Sequence, residues 1–293
     1  MSRIDLSHYQ GREPTYIKHC LLERYLPDWV YKVGPSWNSI AYIDGFAGPW
    51  QTTTPDHSDS SFGIAVDILR RSQIGLRKRS HPLHVNCVLV DQDKVAFTQL
   101  ERFARQNTRE QFDVHALEGD FVSNIPTIES LLRKSSLNTF RFVFLDPKGW
   151  ANIPMLKLQP FLQSRSCEVL INLMTRHIMR FLDEPDREVS YHNLFGRPEV
   201  LTALRDLRKA PPFVRAEHAV REYGKSLHML CKFKYVSSAV VLEPNQESIR
   251  YFLVYASNHP RGIEVFKTAE NQAAKIQEIV RDETRIERRN SLP

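Results

Sequence analysis

Short apolar runs alternate with amphipathic stretches along most of the chain. SIAYID (39–44), HVNCVLVD (84–91), DVHALEGD (113–120), RFVFLDP (141–147) and EVLINLM (168–174) are apolar on both faces and predict buried strands. Between them, helical spacing predicts helices over 62–71, 94–105 and 125–134, and an imperfect one over 153–163 broken near Pro160. Ahead of the first strand, Ile17, Leu21, Leu22, Tyr25 and Leu26 share one face of a helix over 14–33 that Pro27 is expected to interrupt. Strands joined by helices predict a parallel sheet covered on both sides.

The C-terminal third departs from that rhythm. FKYVSSAVVL (233–242) and SIRYFLVYAS (248–257) are separated only by EPNQE, too short for a crossover helix, so this pair must be antiparallel. A mostly parallel sheet closed by an antiparallel hairpin is the plan of the Rossmann-like class I S-adenosylmethionine (SAM)-dependent methyltransferase fold. The expected division is 1–174 for the N-terminal helix and SAM-binding half, 175–232 for a helical insertion, and 233–293 for the hairpin and a final amphipathic helix. Helices at 199–208 and 215–230 belong to the insertion, and Val265, Ala269, Ala273, Ile276 and Val280 mark the inner side of the last helix. A dinucleotide oxidoreductase is disfavoured, because GxGxxG is missing and such folds normally lack the hairpin.

Composition narrows the class modestly. Of 293 residues, 42% are hydrophobic, enough for a sizeable core. No apolar run reaches the roughly 18 residues a membrane span needs, and MSRIDLSHYQ has no signal core, so a cytoplasmic protein is expected. Cys20, Cys87, Cys167 and Cys231 lie far apart with no metal-binding spacing; they read as buried apolar residues, and no metal is expected. The net charge of +6 is the minimum expected of a nucleic-acid binder and equally fits a solvated basic face.

The chemistry concentrates at the strand ends, which carry Asp44, Asp91, Asp120 and Asp146. Ligands of parallel α/β sheets sit at those carboxyl ends. The turn Asp44-Gly45-Phe46-Ala47-Gly48 before Pro49 suits a floor that a nucleotide-like cofactor approaches closely, and it lacks a P-loop lysine. Asp91 is placed for ribose hydroxyls and Gly119-Asp120 for the adenine edge. Asp146-Pro147 follows the fourth strand, where a methyl acceptor would meet the sulfonium; the aspartate and the prolyl carbonyl are the expected catalytic pair. Lys148, Trp150 and Asn172 are the expected substrate contacts: a phosphate partner, a stacking platform and an amide at the fifth strand end. Each has a plain structural alternative, respectively solvent, core and loop support.

KHCLLERYL, YIDGFAGPW, FLDPKGW, EVLINLM and YFLVYASNHPRGIEVF together resemble the three-Cys-motif partner family of bacterial methyltransferase-like proteins. The resemblance covers most of the chain in the family's order. It implies a Rossmann-like SAM-dependent methyltransferase fold and a partner, a three-Cys-motif protein resembling radical-SAM polypeptides. The family pattern has Gly-Ser-Pro where this chain has Ser60-Ser61-Phe62, and an aromatic where Lys148 stands. The second departure bears on base stacking and leaves two readings: methyl transfer to a nucleic-acid base, or a catalytically weak methyltransferase-like protein that binds SAM or nucleic acid and regulates an associated enzyme.

Overall fold

A computed structural model of the chain describes residues 4–48, 52–136 and 138–290. Pro49, and with it Trp50 and Gln51, which complete the first turn's motif, lie outside the described residues.

The apolar runs form one seven-stranded sheet in the order β3-β2-β1-β4-β5-β7-β6. The strands are β1 (Ser39–Asp44), β2 (His84–Asp91), β3 (Phe112–Glu118), β4 (Phe140–Leu145), β5 (Cys167–Leu173), β6 (Tyr235–Leu242) and β7 (Ile249–Ser257). β1 to β5 pair in parallel, and β7 runs antiparallel to both β5 and β6. This is the class I SAM-dependent methyltransferase fold, and the strand order carries that assignment.

Two helical layers cover the sheet. On one face lie α1 (Glu13–Val33), α2 (Ser61–Arg77), α3 (Lys94–Asn107) and the last helix of the chain, which share a core with Tyr42, Leu89 and Phe142 of the strands. The other face carries α4 (Phe121–Ser135) and α5 (Met155–Leu162). It also carries four helices between β5 and β6: α6 (Thr175–Arg180), α7 (Glu188–Phe195), α8 (Glu199–Asp206) and α9 (Pro212–Met229). α10 (Pro260–Asn290) packs along α1 as well as on the hairpin.

Side-chain caps start three of the crossover helices. Ser60 accepts the Gly63 N–H at 3.1 Å, Asp93 the Ala96 N–H at 2.8 Å and Asp120 the Ser123 N–H at 3.0 Å. Two expectations are corrected. α1 runs through Pro27, because Leu26, Trp29 and Val30 around it are almost wholly buried and their packing outweighs the one backbone hydrogen bond that proline forgoes. α5 likewise contains Pro160 without breaking, with Leu158, Phe161 and Leu162 holding it in the core. Among the described residues, no helix is long and apolar enough to cross a membrane.

Candidate functional site

Register decides how the strand-end acids are used. Asp44 pairs with Leu89 on one side and Phe144 on the other, so Asp91 and Asp146 each lie two residues beyond its level. Asp44 therefore sits beneath the turn, and the other two acids flank it. It is wholly buried and accepts hydrogen bonds from Ser61 Oγ at 2.7 Å, Tyr42 Oη at 3.1 Å and the Phe46 N–H at 3.2 Å. Burial pushes its carboxyl up to about 6, with Asp146 adding to the rise and those hydrogen bonds opposing it. Asp44 thus positions the floor from below.

The floor itself is held by backbone. Gly45 N–H donates to Phe144 O at 3.0 Å and Ala47 N–H to Val90 O at 2.9 Å, so the turn crosses the top of β1 and is tied to both neighbouring strands. A side chain at Gly45 would meet Leu145 at 2.7 Å and Phe121 at 2.9 Å, which explains the glycine. Phe46 and Gly48 reach the cleft described below.

Asp91, 2% exposed, ends β2 and accepts from the Asp93 N–H at 2.8 Å and from the Gly48 backbone. Burial raises its carboxyl, opposed by those two hydrogen bonds and by the nearby charge of Lys148. Gly119 has φ of +116°, a conformation open to glycine, and its N–H donates to Asp91 O at 2.9 Å. The adjoining Asp120 spends its carboxylate on capping α4, and the cap holds its pKa below the usual range.

At β4, Leu145 pairs with Ile171, which sets Asp146 level with Asn172. Asn172 Nδ2 donates to Asp146 Oδ1 at 2.6 Å, and Lys18 Nζ of α1 forms an ion pair with Oδ2. Asn172 is 2% exposed and its own Oδ1 is buried without a partner.

These groups open on a cleft of about 950 Å³ between α1, the ends of β1, β4 and β5, α6 and the β6–β7 turn. It lies where the chain order reverses between β1 and β4, the place at which such sheets take ligands. Phe46, Gly48, Asp146, Pro147, Lys148 and Asn172 line it. Asp44, Gly45, Ala47, Asp91 and Asp120 stand around it without lining it. Trp150 is 7% exposed and packs on Tyr191 of α7 with ring centroids 4.6 Å apart, so the indole is core and not a stacking platform.

The cleft's other wall was not foreseen. Arg12, Lys18 and His19 come from α1 and the residue before it, Ser61 from α2, Arg176 and Arg180 from α6, and Arg250 and Tyr251 from β7. Tyr251 Oη donates to Pro14 O at 2.5 Å, tying α1 to the hairpin, and Glu243 bridges Arg176 at 3.1 Å and Arg250 at 3.0 Å. Asp59 organises the corner beneath: it accepts from the Thr53 N–H at 2.7 Å, Thr54 Oγ1 at 2.8 Å, Thr52 Oγ1, and Arg12 at 3.1 Å. Burial opposes ionisation of Asp59, but these donors hold its pKa well below the usual range.

No family model and no curated protein matches the chain. Among solved structures it is similar to a DUF574-family protein from Streptomyces avermitilis, at 12% identity over 83% of each chain with a TM-score of 0.45. A Legionella pneumophila protein gives 13% identity over 87% of this chain and 90% of its own, with a TM-score of 0.43. Human methyltransferase-like protein 13, solved in complex with SAH, gives 11% identity over 90% and 92%, with a TM-score of 0.36. At such values these likenesses add nothing to what the strand order establishes.

Proposed function

We propose that this protein is a SAM-dependent methyltransferase acting on a nucleic-acid base. The observation that carries the proposal is the cleft at the β1–β4 switch point, lined by Phe46 and Gly48 of the glycine-containing turn and by Asp146. We assign the cofactor's partners to the groups around that cleft. Asp91 supplies a carboxylate for the ribose hydroxyls, the Gly45–Gly48 turn a close-approach surface, and the Gly119–Asp120 turn a border for the adenine. The buried, unpartnered Asn172 Oδ1 is an acceptor suited to an ammonium or amide N–H. When bound, SAM supplies a methyl group on a positively charged sulfur.

The chain's own part is alignment and exclusion of water. Asp146, fixed by Lys18 and Asn172, and the Pro147 carbonyl orient the acceptor. Arg12, Lys148, Arg176, Arg180 and Arg250 at the cleft suit a phosphate backbone, which supports a nucleic-acid acceptor. The resemblance in KHCLLERYL, DGFAGP and DPKGW extends the proposal to a three-Cys-motif, radical-SAM-like partner. Two observations favour the second reading, a binding protein with little turnover: the Asp146 carboxylate already holds two partners, and Trp150 packs on Tyr191 outside the cleft's lining.

Calorimetric titration with SAM tests the cofactor assignment. Wild type is expected to bind saturably, and Asp91→Ala to weaken binding about 10- to 100-fold, as for the loss of one or two hydrogen bonds to a charged group. Equal affinity in the two proteins removes Asp91 from the site. A second titration with the partner present separates a site completed in the complex from one that is absent.

A further inference from the structure

We infer that His19 is the general base of the reaction, and that the acceptor is therefore a group with a proton to lose, an exocyclic amine or a hydroxyl. This deepens the methyltransferase reading and rests on it. His19 lies on the same turn of α1 as Lys18, is 4% exposed, and lines the cleft. Its Nδ1 is 2.9 Å from Tyr9 Oη, and Tyr9 Oη donates to the Asp59 carbonyl at 3.2 Å. The phenol has a single proton; placed on the Asp59 carbonyl, which only accepts, it leaves Nδ1–H to donate to Tyr9 Oη. In that arrangement the imidazole is the tautomer whose Nε2 carries a lone pair, in a ring that lines the cleft. Tyr9 stacks edge-on against the ring at 5.5 Å and locks its plane.

The surrounding charges keep the ring neutral. Burial lowers its pKa well below the ordinary value, Lys18 and Arg12 lower it further, and Asp59 opposes them with a carboxylate already engaged by Arg12 and the three threonines. Burial also raises the Tyr9 phenol, aided by Asp59, so the proton stays on its oxygen. Asp146 faces the same cleft, but its ion pair with Lys18 occupies the carboxylate. In the step itself a bond forms between the acceptor heteroatom and the methyl carbon, and the carbon–sulfur bond breaks with its electron pair left on sulfur. The heteroatom's proton goes to His19 Nε2, and the resulting imidazolium returns it to water.

Two measurements test this. Long-range nitrogen–proton spectra of histidine-labelled protein, with the His19 signals assigned by their loss in His19→Gln, should show Nδ1 protonated and a neutral ring at pH 6. An Nε2-protonated tautomer, or an imidazolium at pH 7, overturns the inference without any turnover assay. Single-turnover methylation of denatured DNA or total RNA with labelled SAM is the second. His19→Gln should slow transfer about a hundredfold or more with SAM affinity unchanged, and abolish the acidic limb of the pH profile. Tyr9→Phe, which leaves the core filled, should slow it about tenfold and mix the two tautomers. Full rate in His19→Gln overturns the base alone. A wild type that binds SAM and transfers nothing to either substrate overturns the methyltransferase reading and the base with it.

Discussion

The sheet carries a carboxylate at each end, one buried and one 18% exposed at its side chain, and the two are satisfied in opposite ways. At the end where β5 begins, Glu168 is 3% exposed and takes hydrogen bonds from Tyr25 Oη at 2.5 Å and Ser257 Oγ at 2.9 Å, with Tyr255 Oη a further 3.0 Å from Tyr25. The helix that follows closes over it, since even a methyl group at Gly262 would come within 2.6 Å of Glu168 Oε1. At the other end, Asp146 is paired with the ammonium of Lys18 and the amide of Asn172, and a cleft lies beside it. Neutral hydroxyls with no space nearby make a fastener joining α1, β5 and β7. A cation with an open cavity makes a charge that a ligand can reach. What satisfies a carboxylate, and what lies next to it, separates a working one from a structural one.

The largest expected effect falls on the cleft side. Asp146→Asn should lower methyl transfer about a hundredfold or more while SAM affinity holds, because orientation of the acceptor is lost and the cofactor contacts are not. It also strands Lys18, which is costly where the ammonium is buried. Adding Lys18→Met should therefore restore the melting temperature without restoring transfer. Recovery of transfer in the double variant would make the pair merely structural, like Glu168. Glu168→Ala should show the mirror image: about 4 kcal/mol of stability lost, from two hydroxyls that lose their carboxylate acceptor and a void, or roughly 8 °C in melting temperature, with SAM titration unchanged. Glu168→Gln should recover part of that, since burial already favours the protonated acid and raises its pKa.

A third test uses pH and the acid beneath the floor. Asp44 titrates near 6 when folded against 3.8 in the unfolded chain, so between about pH 4 and 6 the native state holds more protons. Stability contributed by this group is then present below the lower value and falls as pH rises through the window, by at most about 3 kcal/mol. Wild type and Asp44→Asn, melted across that range, should differ in slope in that sense. A parallel pair of curves would mean that Ser61, Tyr42 and the Phe46 N–H stabilise the carboxylate fully.

The contrast also explains what the sequence did and did not disclose. Strands apolar on both faces were legible to within about two residues, because burial on both sides leaves no polar position to blur the run. The antiparallel hairpin followed from linker length alone. The positions of Asp91 and Asp146 at the strand ends were legible because parallel strands end at one edge. What was not legible depends on contacts distant in sequence. The burial of Trp150 against Tyr191 is set by the path of α7. Lys18 and His19 resemble a solvated stripe until α1 is seen lying across the strand ends, and Pro27 resembles a break until Trp29 and Val30 are seen in the core. Glu168, at the start of a strand, gave no hint that Tyr25, 143 residues earlier, would meet it.

The smallest expected effect concerns the fourth strand-end acid. Asp120 accepts the Ser123 N–H at 3.0 Å as the cap of α4, and its side chain is outside the cleft's lining. Asp120→Ala should therefore cost about 1 kcal/mol of stability, Asp120→Asn close to nothing, and neither should change SAM affinity by more than about twofold. The adenine border would then be made by the turn's backbone, whose shape depends on Gly119 at φ of +116°. Gly119→Ala should weaken SAM binding more than Asp120→Ala does, since alanine does not readily hold that conformation. A tenfold affinity loss in Asp120→Ala with an intact melting temperature would reverse the assignment, moving this carboxylate from the fastening group that Glu168 represents to the ligand-facing group of Asp146.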